Sequence, residues 1–210
     1  RGIYCLGSRE IYNSLGFNTK LVPFSEAPKN HNDLLNPKWK GRMSITGASM
    51  GVRWIGNVLH AMGMEYLEKL SRQNIKVHKI GPGALGTLVI AGEVPLSPTI
   101  TDFTFFVAKK KGAPVEWRPL EPVLTNVGLT GITAAARNPH AAMLFIDYLH
   151  SKEGQNVAMQ GGLSSPRLDI GSLEKTFKKD YLAANDSPEE FERKYSEWDG
   201  LLKRLFIQKR

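Results

Sequence analysis

The sequence is poor in cysteine and in long apolar runs. Cys5 is the only cysteine among 210 residues, so the chain cannot form an internal disulfide, and a single thiol does not indicate the redox compartment. No apolar run approaches the roughly 20 residues that a transmembrane helix requires. The chain shows no repeat and no signal peptide, and it opens on Arg1, which we interpret as a processing boundary.

The sequence also has few of the short motifs that are typical of catalytic and metal sites. There is no P-loop, H-E-x-x-H or C-x-x-C, and the five histidines are isolated in sequence. Glu93 follows a glycine and could be a catalytic carboxylate, but a carboxylate at a strand end is the simpler interpretation. Because no nucleophile is paired with a base, we expect no enzyme activity, no catalytic residue, no cofactor and no metal site.

The charge is predominantly basic. Lys and Arg number 28 against 20 Asp and Glu, which gives a formal net charge of +8. This excess permits acidic partners such as nucleic acid, phosphate or an anionic surface. The basic residues are scattered and form no stripe, so we expect no nucleic-acid binding. With 41% hydrophobic and 23% charged residues, the composition is typical of a globular protein.

Apolar spacing in the first half of the chain predicts alternating strands and helices. Short strands are expected at residues 42–45 and 75–78, and a helix carrying Trp54, Ile55 and Val58 on one face lies between them. Residues 85–91 fit either a buried strand or the apolar face of a helix. Residues 103–108 predict a strand with at least one phenylalanine in the core.

Two helices are expected in the second half. The first opens at Asn138-Pro139 and continues to Gln160, where Gly161 ends it. The second opens on a capping box formed by Ser187 and Glu190. Strands that alternate with helices indicate an α/β fold with a mixed or mostly parallel sheet.

The loop at residues 46–51 is the strongest local candidate for a ligand site. It is short and polar, and it leads directly into a helix, where free N–H groups and the helix dipole favour an anion. Its small residues would let a ligand approach the backbone. Thr46, Ser49, Met50 and Gly51 are therefore candidate ligand-binding residues, although Ser49 could equally be an ordinary helix cap.

Longer segments carry a family resemblance. DLLNPKWKG (33–41) and PHAAMLFIDYLHSKEGQ (139–155) are specific strings, and further matching segments follow in the same order. Together they resemble the periplasmic solute-binding proteins of ABC importers, with the ferric-iron binders as the nearest group. The remaining matching segments are residues 18–23, 92–96, 110–117 and 161–169.

The resemblance implies a type II periplasmic-binding-protein-like fold, with two α/β lobes joined by crossing strands and a solute in the cleft between them. Residues 1–18 and 120–165 would form the first lobe, and residues 19–119 and 166–210 the second. Family members are longer, so we expect the second lobe to be complete and the N-terminal half of the first to be missing before Arg1. The implied location is periplasmic, and the implied partners are a small-molecule solute and an ABC permease in the membrane.

The incomplete first lobe has a consequence for the helix at residues 138–160. Its apolar face would pack on strands that this chain does not contain, and would therefore be exposed. We expect a homodimer through this lobe, a rearranged lobe, or a complementing chain.

The resemblance also places Asp102 and Phe103 among the ligand-contacting residues. Iron binders of the family carry two adjacent tyrosines at this place, just before a basic turn, here Lys109–Lys111. Phenylalanine has no oxygen to coordinate a hard cation, so the residues favour a small organic solute with a carboxylate or phosphate over ferric iron. Phe103 would offer an apolar face, and Asp102 could pair with an ammonium or hold hydroxyl groups.

Three alternatives stay open at this point. The chain could be an enzyme on a similar two-lobe fold, or a sensory ligand-binding domain of a larger regulatory protein. It could also bind ferric iron through a site without tyrosine.

Overall fold

The structure is a computed structural model that describes residues 5–170, 179–180 and 186–208. No helix within these ranges is long and apolar enough to cross a membrane. The elements in chain order are β1 (Leu6–Asn18), β2 (Ser44–Thr46), α1 (Ser49–Ser71), β3 (Lys76–His78), α2 (Pro82–Ala91), β4 (Leu96–Thr101), α3 (Asp102–Lys110), β5 (Val115–Pro119), β6 (Val123–Thr130), α4 (Pro139–His150), α5 (Lys152–Gln160), β7 (Lys179–Asp180) and α6 (Pro188–Leu202).

The long strand β1 connects two parts of the main sheet. Its first half, from Leu6 to Tyr12, pairs antiparallel with β6. Its second half pairs antiparallel with β4 on one side and with β5 on the other. The change of partner falls between Tyr12, opposite Thr125, and Asn13, opposite Thr101. The strand β1 therefore connects β6 to the part of the sheet that contains β4 and β5.

The short strands β2 and β3 and the start of β4 run parallel to one another. β2 pairs in parallel with β3, and Met43, just before β2, bridges in parallel to Leu96 at the start of β4. The order across this region is therefore β3, β2, β4. Each of these strands leads into a helix, so α1, α2 and α3 all begin at the carboxyl edge of the three strands.

The main core lies between α1, α6 and the sheet. Trp54, Ile55 and Val58 are buried, which confirms the apolar face predicted for α1, and Trp198 and Leu202 of α6 are buried against it. The two helices approach closely at Gly56, where a Cβ atom would lie 2.4 Å from the indole ring of Trp198. The α6 capping box of Ser187 and Glu190 is also confirmed.

The prediction of a strand at residues 103–108 is wrong, because these residues belong to helix α3. Asp102 lies in its first turn and Lys109 and Lys110 in its last, which is the arrangement that complements the helix dipole. Phe105 is fully buried in a second core cluster with α2 and β4, so the expectation of one core phenylalanine is confirmed. The alternative left open for residues 85–91 resolves as helix α2.

The helix predicted over residues 138–160 is divided in two. Ser151 takes an extended conformation, ends α4 and caps α5 by accepting a hydrogen bond from the Gly154 N–H at 3.0 Å. No residue of α4 is buried. Leu144 is 72% exposed and Phe145 61% exposed, with Met143 and Tyr148 also exposed, so the expected exposed apolar face is confirmed.

His31 is a buried histidine that links stability to pH. Burial lowers the pKa of its imidazole below the ordinary value of 6.5. In the unfolded chain the ring takes up a proton as the pH falls below 6.5, whereas in the folded chain it stays neutral to lower pH. The unfolded state then binds more protons, so the free energy of unfolding should decrease as the pH falls from 7 towards 5.

Urea unfolding of the wild type and of His31→Gln at pH 7 and pH 5 measures this contribution. We expect the loss of stability between the two pH values to be smaller in His31→Gln than in the wild type. The exposed residue His140 supplies the control, His140→Gln, for the removal of one histidine. An equal loss in the wild type and in His31→Gln would contradict the assignment.

Candidate functional site

The parallel alignment of β2 and β4 places two helix starts side by side. Ser49 begins α1 and Asp102 begins α3, and both stand six residues after the bridged pair Met43 and Leu96. The alignment is held further along the strands, where the Thr46 N–H donates to Thr99 Oγ1 at 3.0 Å. Because the strands are parallel and in register, the two helices begin at the same level of the same edge.

The loop before α1 is fixed by its own hydrogen bonds. The Gly47 N–H donates to the His78 carbonyl at 2.6 Å, and the Ala48 N–H donates to Thr46 Oγ1 at 3.1 Å. The Thr46 hydroxyl in turn donates to the Ile80 carbonyl. Thr46 is buried and its hydroxyl is engaged within the loop, so its part in the candidate site is to hold the loop in shape.

The first turn of α1 presents its backbone at this edge. Ala48 occupies the cap position, and no side chain of the described ranges caps the helix, so the suggestion that Ser49 is an ordinary cap is wrong. Ser49 is exposed, Met50 is half-buried and Gly51 is buried. The uncapped start of α1 carries partial positive charge and favours an anionic group. The helix is broken further along at Gly63, where φ is 81° and ψ is 172°.

Gly51 allows the loop and the helix to approach each other. A Cβ atom at this position would lie 1.7 Å from the Thr46 carbonyl oxygen, which is closer than any real contact. Only glycine fits here without moving the backbone. Gly51 therefore supports the loop conformation in addition to any contact with a ligand.

Asp102 and Phe103 form the first turn of α3. Asp102 Oδ1 accepts a hydrogen bond from the Phe103 N–H at 2.9 Å, and Asp102 Oδ2 lies 3.5 Å from Ser164 Oγ. Phe103 is 43% exposed, whereas Phe105, two residues on, is fully buried. The start of α3 thus offers a carboxylate and an aromatic ring to solvent rather than to the core.

A cavity of about 600 Å³, here called the cleft cavity, adjoins this helix start. Its lining includes Asp102 and Phe103 of α3 and Arg9 and Glu10 of β1. The loop after α5 adds Ser164, whose carbonyl accepts from the Glu10 N–H at 2.9 Å. The cavity therefore combines one cation, two carboxylates and an aromatic surface.

Arg9, Glu10 and Ser164 were not among the residues predicted for the site. Arg9 and Glu10 carried no signal in the sequence, because a strand that changes partners cannot be recognised from local spacing. Ser164 lies in the segment 161–169, one of the segments that carry the family resemblance. This membership was the one signal in the sequence that could have pointed to Ser164 as a site residue.

The start of α1 does not line the cleft cavity. Gly47 and Ala48 line a separate cavity of about 350 Å³, together with Lys79, Gly81 and Lys203. All six predicted residues lie at one edge of the parallel strands, but only Asp102 and Phe103 line the cleft cavity, and Thr46, Ser49, Met50 and Gly51 line neither of these two cavities. A larger cavity of about 730 Å³ lies elsewhere, between α4 and the start of β1, and contains none of the six.

Residues 47–51 read Gly-Ala-Ser-Met-Gly and fit the G-x-S-x-G string of serine hydrolases, which sequence reasoning missed. The motif does stand between a strand and a helix, as in those enzymes. Its serine normally sits on a strained turn, but Asn74 is the only non-glycine residue with positive φ in the described ranges. Ser49 is the unstrained first residue of α1 and does not have the geometry of a nucleophile elbow.

Residues 81–86 read Gly-Pro-Gly-Ala-Leu-Gly and fit the dinucleotide-binding string G-x-G-x-x-G, also missed from sequence. The string follows β3 and opens α2, as the motif requires, and Asp102 follows at the end of β4. However, β3 pairs with β2, and β2 lies between β3 and β4. The acidic residue is therefore one strand further away than the motif demands, and we interpret the string as a third helix start at the same edge.

Metal ligands are not gathered at this edge. Over residues 5–170, 179–180 and 186–208, no group of three or more His, Cys, Asp or Glu side chains is positioned to hold a metal ion. Phe103 carries no ligand atom. Glu10 and Ser164 line the same cavity as Asp102 and add oxygen atoms to it.

Comparisons with known proteins place this geometry in context. The sequence profile described as "Bacterial extracellular solute-binding protein" matches residues 18–164. A substrate binding protein of an ABC transporter from Agrobacterium tumefaciens superimposes with a TM-score of 0.74 at 13% identity, covering 95% of this chain and 67% of that one. The periplasmic binding protein P5PA superimposes with a TM-score of 0.69 at 23% identity, covering 90% and 66%.

An iron-bound structure, HitA from Pseudomonas aeruginosa, superimposes with a TM-score of 0.64 at 19% identity, covering 95% of this chain and 67% of that one. A search of curated protein sequences found no match. This chain spans about two thirds of the length of these structures. The similarities confirm the predicted type II periplasmic-binding-protein-like α/β fold.

Proposed function

This chain belongs to the bacterial extracellular solute-binding proteins, and on that premise we propose that it captures a small solute at the edge where β2 and β4 end. In this proposal the chain works outside the cytoplasmic membrane, in the periplasm, and delivers the solute to the permease of an ABC-type importer. The observation that carries the proposal is the register of β2 and β4, which sets the starts of α1 and α3 side by side.

The solute is a small organic molecule with an anionic group. The uncapped start of α1 favours a carboxylate or phosphate near Ser49, Met50 and Gly51. Asp102 accepts an ammonium or hydroxyl group of the same molecule, and the exposed ring of Phe103 packs on its apolar part. Arg9, which also lines the cleft cavity, supplies a positive charge for an anionic solute.

Ferric iron is a poorer cargo for this site. A hard cation requires several oxygen ligands in the first coordination shell. Of the two adjacent residues at the start of α3, Asp102 supplies a carboxylate and Phe103 supplies no ligand. The carboxylate of Glu10, which lines the same cavity, accepts a hydrogen bond from the Tyr12 hydroxyl.

Capture would use movement of two lobes. We assign residues 1–18 and 120–165 to the first lobe and residues 19–119 and 166–210 to the second. The change of partner within β1, from β6 to β4 and β5, supports a crossing between lobes near Asn13. Closure by bending at such crossing strands is a common mechanism for two-lobe binding proteins.

The proposal is tested by titrating the purified protein with a panel of carboxylates, phosphates and amino acids, and in parallel with ferric citrate. We expect at least one organic anion to raise the melting temperature and to saturate one site in calorimetry. Tight one-to-one ferric binding with a visible charge-transfer band, and no response to the organic panel, would overturn the choice of cargo.

Self-association is proposed through α4, whose exposed apolar side chains include Leu144 and Phe145. A second copy of the chain would cover this face, because a contiguous apolar patch of this kind is typical of an interface. In light scattering after size exclusion, we expect the wild type to be a dimer and Leu144→Glu to be a monomer.

Leu168 provides the matched control for this experiment. It is 95% exposed and lies outside α4, so Leu168→Glu adds the same charge at a different surface. We expect Leu168→Glu to remain a dimer. A monomeric wild type at concentrations up to about 100 times those used for other assays would count against self-association.

A further inference from the structure

Five buried side-chain atoms cluster where β1 changes its partner. Both carboxamide atoms of Asn13 and of Asn57, and Nδ1 of His31, have no hydrogen-bond partner among the residues that the structure describes. Asn13, Asn57 and His31 are 6%, 1% and 3% exposed. Leaving such groups unsatisfied is costly, and buried polar side chains in folded proteins are nearly always hydrogen-bonded.

The three residues line one small cavity. Its volume is about 10 Å³, and the rest of its wall is apolar, formed by Trp54, Leu120 and two prolines. A cavity of about 10 Å³ is at the lower limit for holding one water molecule. The cavity is too small for an organic ligand, so its volume limits the occupant to a single water or an ion of that size.

The chemistry of the wall selects between water and an ion. The carboxamides present donors as well as acceptors, so an occupant must both donate and accept hydrogen bonds. A metal cation cannot accept a hydrogen bond from the amide groups, and an anion cannot donate to the oxygens. Water satisfies both requirements and makes about three hydrogen bonds in a typical buried site.

The orientation of His31 supports the same occupant. Nε2 faces the Pro122 carbonyl oxygen at 3.5 Å, which favours the tautomer with the proton on Nε2. Burial holds the pKa of the ring below its ordinary value, so the ring is neutral near pH 7. Nδ1 is then an acceptor that needs a donor from inside the cavity, and a water O–H is the donor that fits.

The position of the cavity gives the water a structural role. Asn13 is the first residue of β1 to pair with β4, and Leu120 and Pro122 belong to the connection between β5 and β6. Asn57 comes from α1 and His31 from the short helical turn His31–Leu35. We propose that one water molecule occupies this cavity, hydrogen-bonded to Asn13, Asn57 and His31, and joins these segments at the crossing point of the sheet.

A crystal structure of the wild-type protein at about 1.5 Å resolution or better tests the proposal directly. We expect one density peak within hydrogen-bond distance, about 2.7–3.2 Å, of at least two of the three side chains. An empty cavity, or direct hydrogen bonds among the three side chains, would overturn it. This result is independent of solute binding, so it stands or fails separately from the proposed function.

A variant measures the contribution of the site to stability. Asn57→Leu fills the space with an apolar group and leaves Asn13 and His31 without their shared partner, so we expect the melting temperature to fall by roughly 4–8 °C. The exposed Asn32 gives the control Asn32→Leu, for which we expect little change. Equal melting temperatures for the two variants would contradict the role of the water, and the wild-type structure decides the question if Asn57→Leu does not fold.

Discussion

Replacing Gly51 by alanine should lower the free energy of unfolding by about 3 kcal/mol. The added methyl group would lie 1.7 Å from the Thr46 carbonyl oxygen, and backbone atoms cannot move aside as a flexible side chain can. Alanine is intrinsically better than glycine in a helix by roughly 0.5–1 kcal/mol, so the expected loss is due to the clash and not to propensity. Urea unfolding followed by circular dichroism measures the change.

Gly83 supplies a matched control for this substitution. It also lies in the first turn of a helix, α2, but a Cβ atom there meets no atom of the described residues within 4 Å. Gly83→Ala should therefore be neutral or raise the free energy of unfolding by about 0.5 kcal/mol. If both variants unfold at the same urea concentration as the wild type, the close approach of the loop and α1 is wrong.

Replacing Asp102 by alanine should weaken solute binding by roughly 10- to 100-fold, because a hydrogen bond to a charged group contributes about 1.5–3 kcal/mol. The substitution removes the carboxylate that the start of α3 presents to the cleft cavity. Calorimetric titration with the solute found in the panel gives the dissociation constant. The melting temperatures of the variant and the wild type are measured in parallel, because the carboxylate also accepts from the Phe103 N–H and lies near Ser164.

Two further variants make this result specific. Glu189→Ala removes an exposed carboxylate from the first turn of α6, so it should leave the dissociation constant unchanged. Asp102→Asn keeps an acceptor but loses the charge: it should retain most of the affinity if Asp102 binds hydroxyls, and lose it if Asp102 binds an ammonium. An unchanged dissociation constant in Asp102→Ala would remove Asp102 from the site.

Local signals in the sequence were sufficient for several elements. The α6 capping box was predicted because Ser187 and Glu190 have the required side chains at the required spacing. The buried face of α1 was predicted because Trp54, Ile55 and Val58 recur at helical spacing. Such features depend on residues within one or two helical turns of each other. The family and the fold class were recognised from longer continuous segments of the sequence.

Other elements depend on distant contacts. Residues 103–108 are apolar and partly aromatic and so resemble a strand, but they form a helix because Phe105 packs between α2 and β4. The division at Ser151 was also missed, since that serine caps α5 within a segment that otherwise reads as one continuous helix. In both cases a tertiary contact or a single cap outweighs the local preference.

The candidate site shows the same limit. Ser49 and Asp102 were each predicted from their own surroundings, but the bridge between Met43 and Leu96 that aligns them joins residues far apart in sequence. Arg9 and Glu10 join the cleft cavity because β1 changes partners beside them. Neither relation leaves a local signal, so sequence reasoning could name parts of the site but not its outline.

The most direct test of the proposed site is an amide chemical-shift titration of the isotopically labelled protein with the organic anion that gives the largest thermal shift. We predict saturable shifts that are largest at residues 46–51 and 101–104, where α1 and α3 begin. Shifts concentrated at α4 and the larger cavity beside it, or a response to ferric citrate and to no organic anion, would contradict solute binding at this edge.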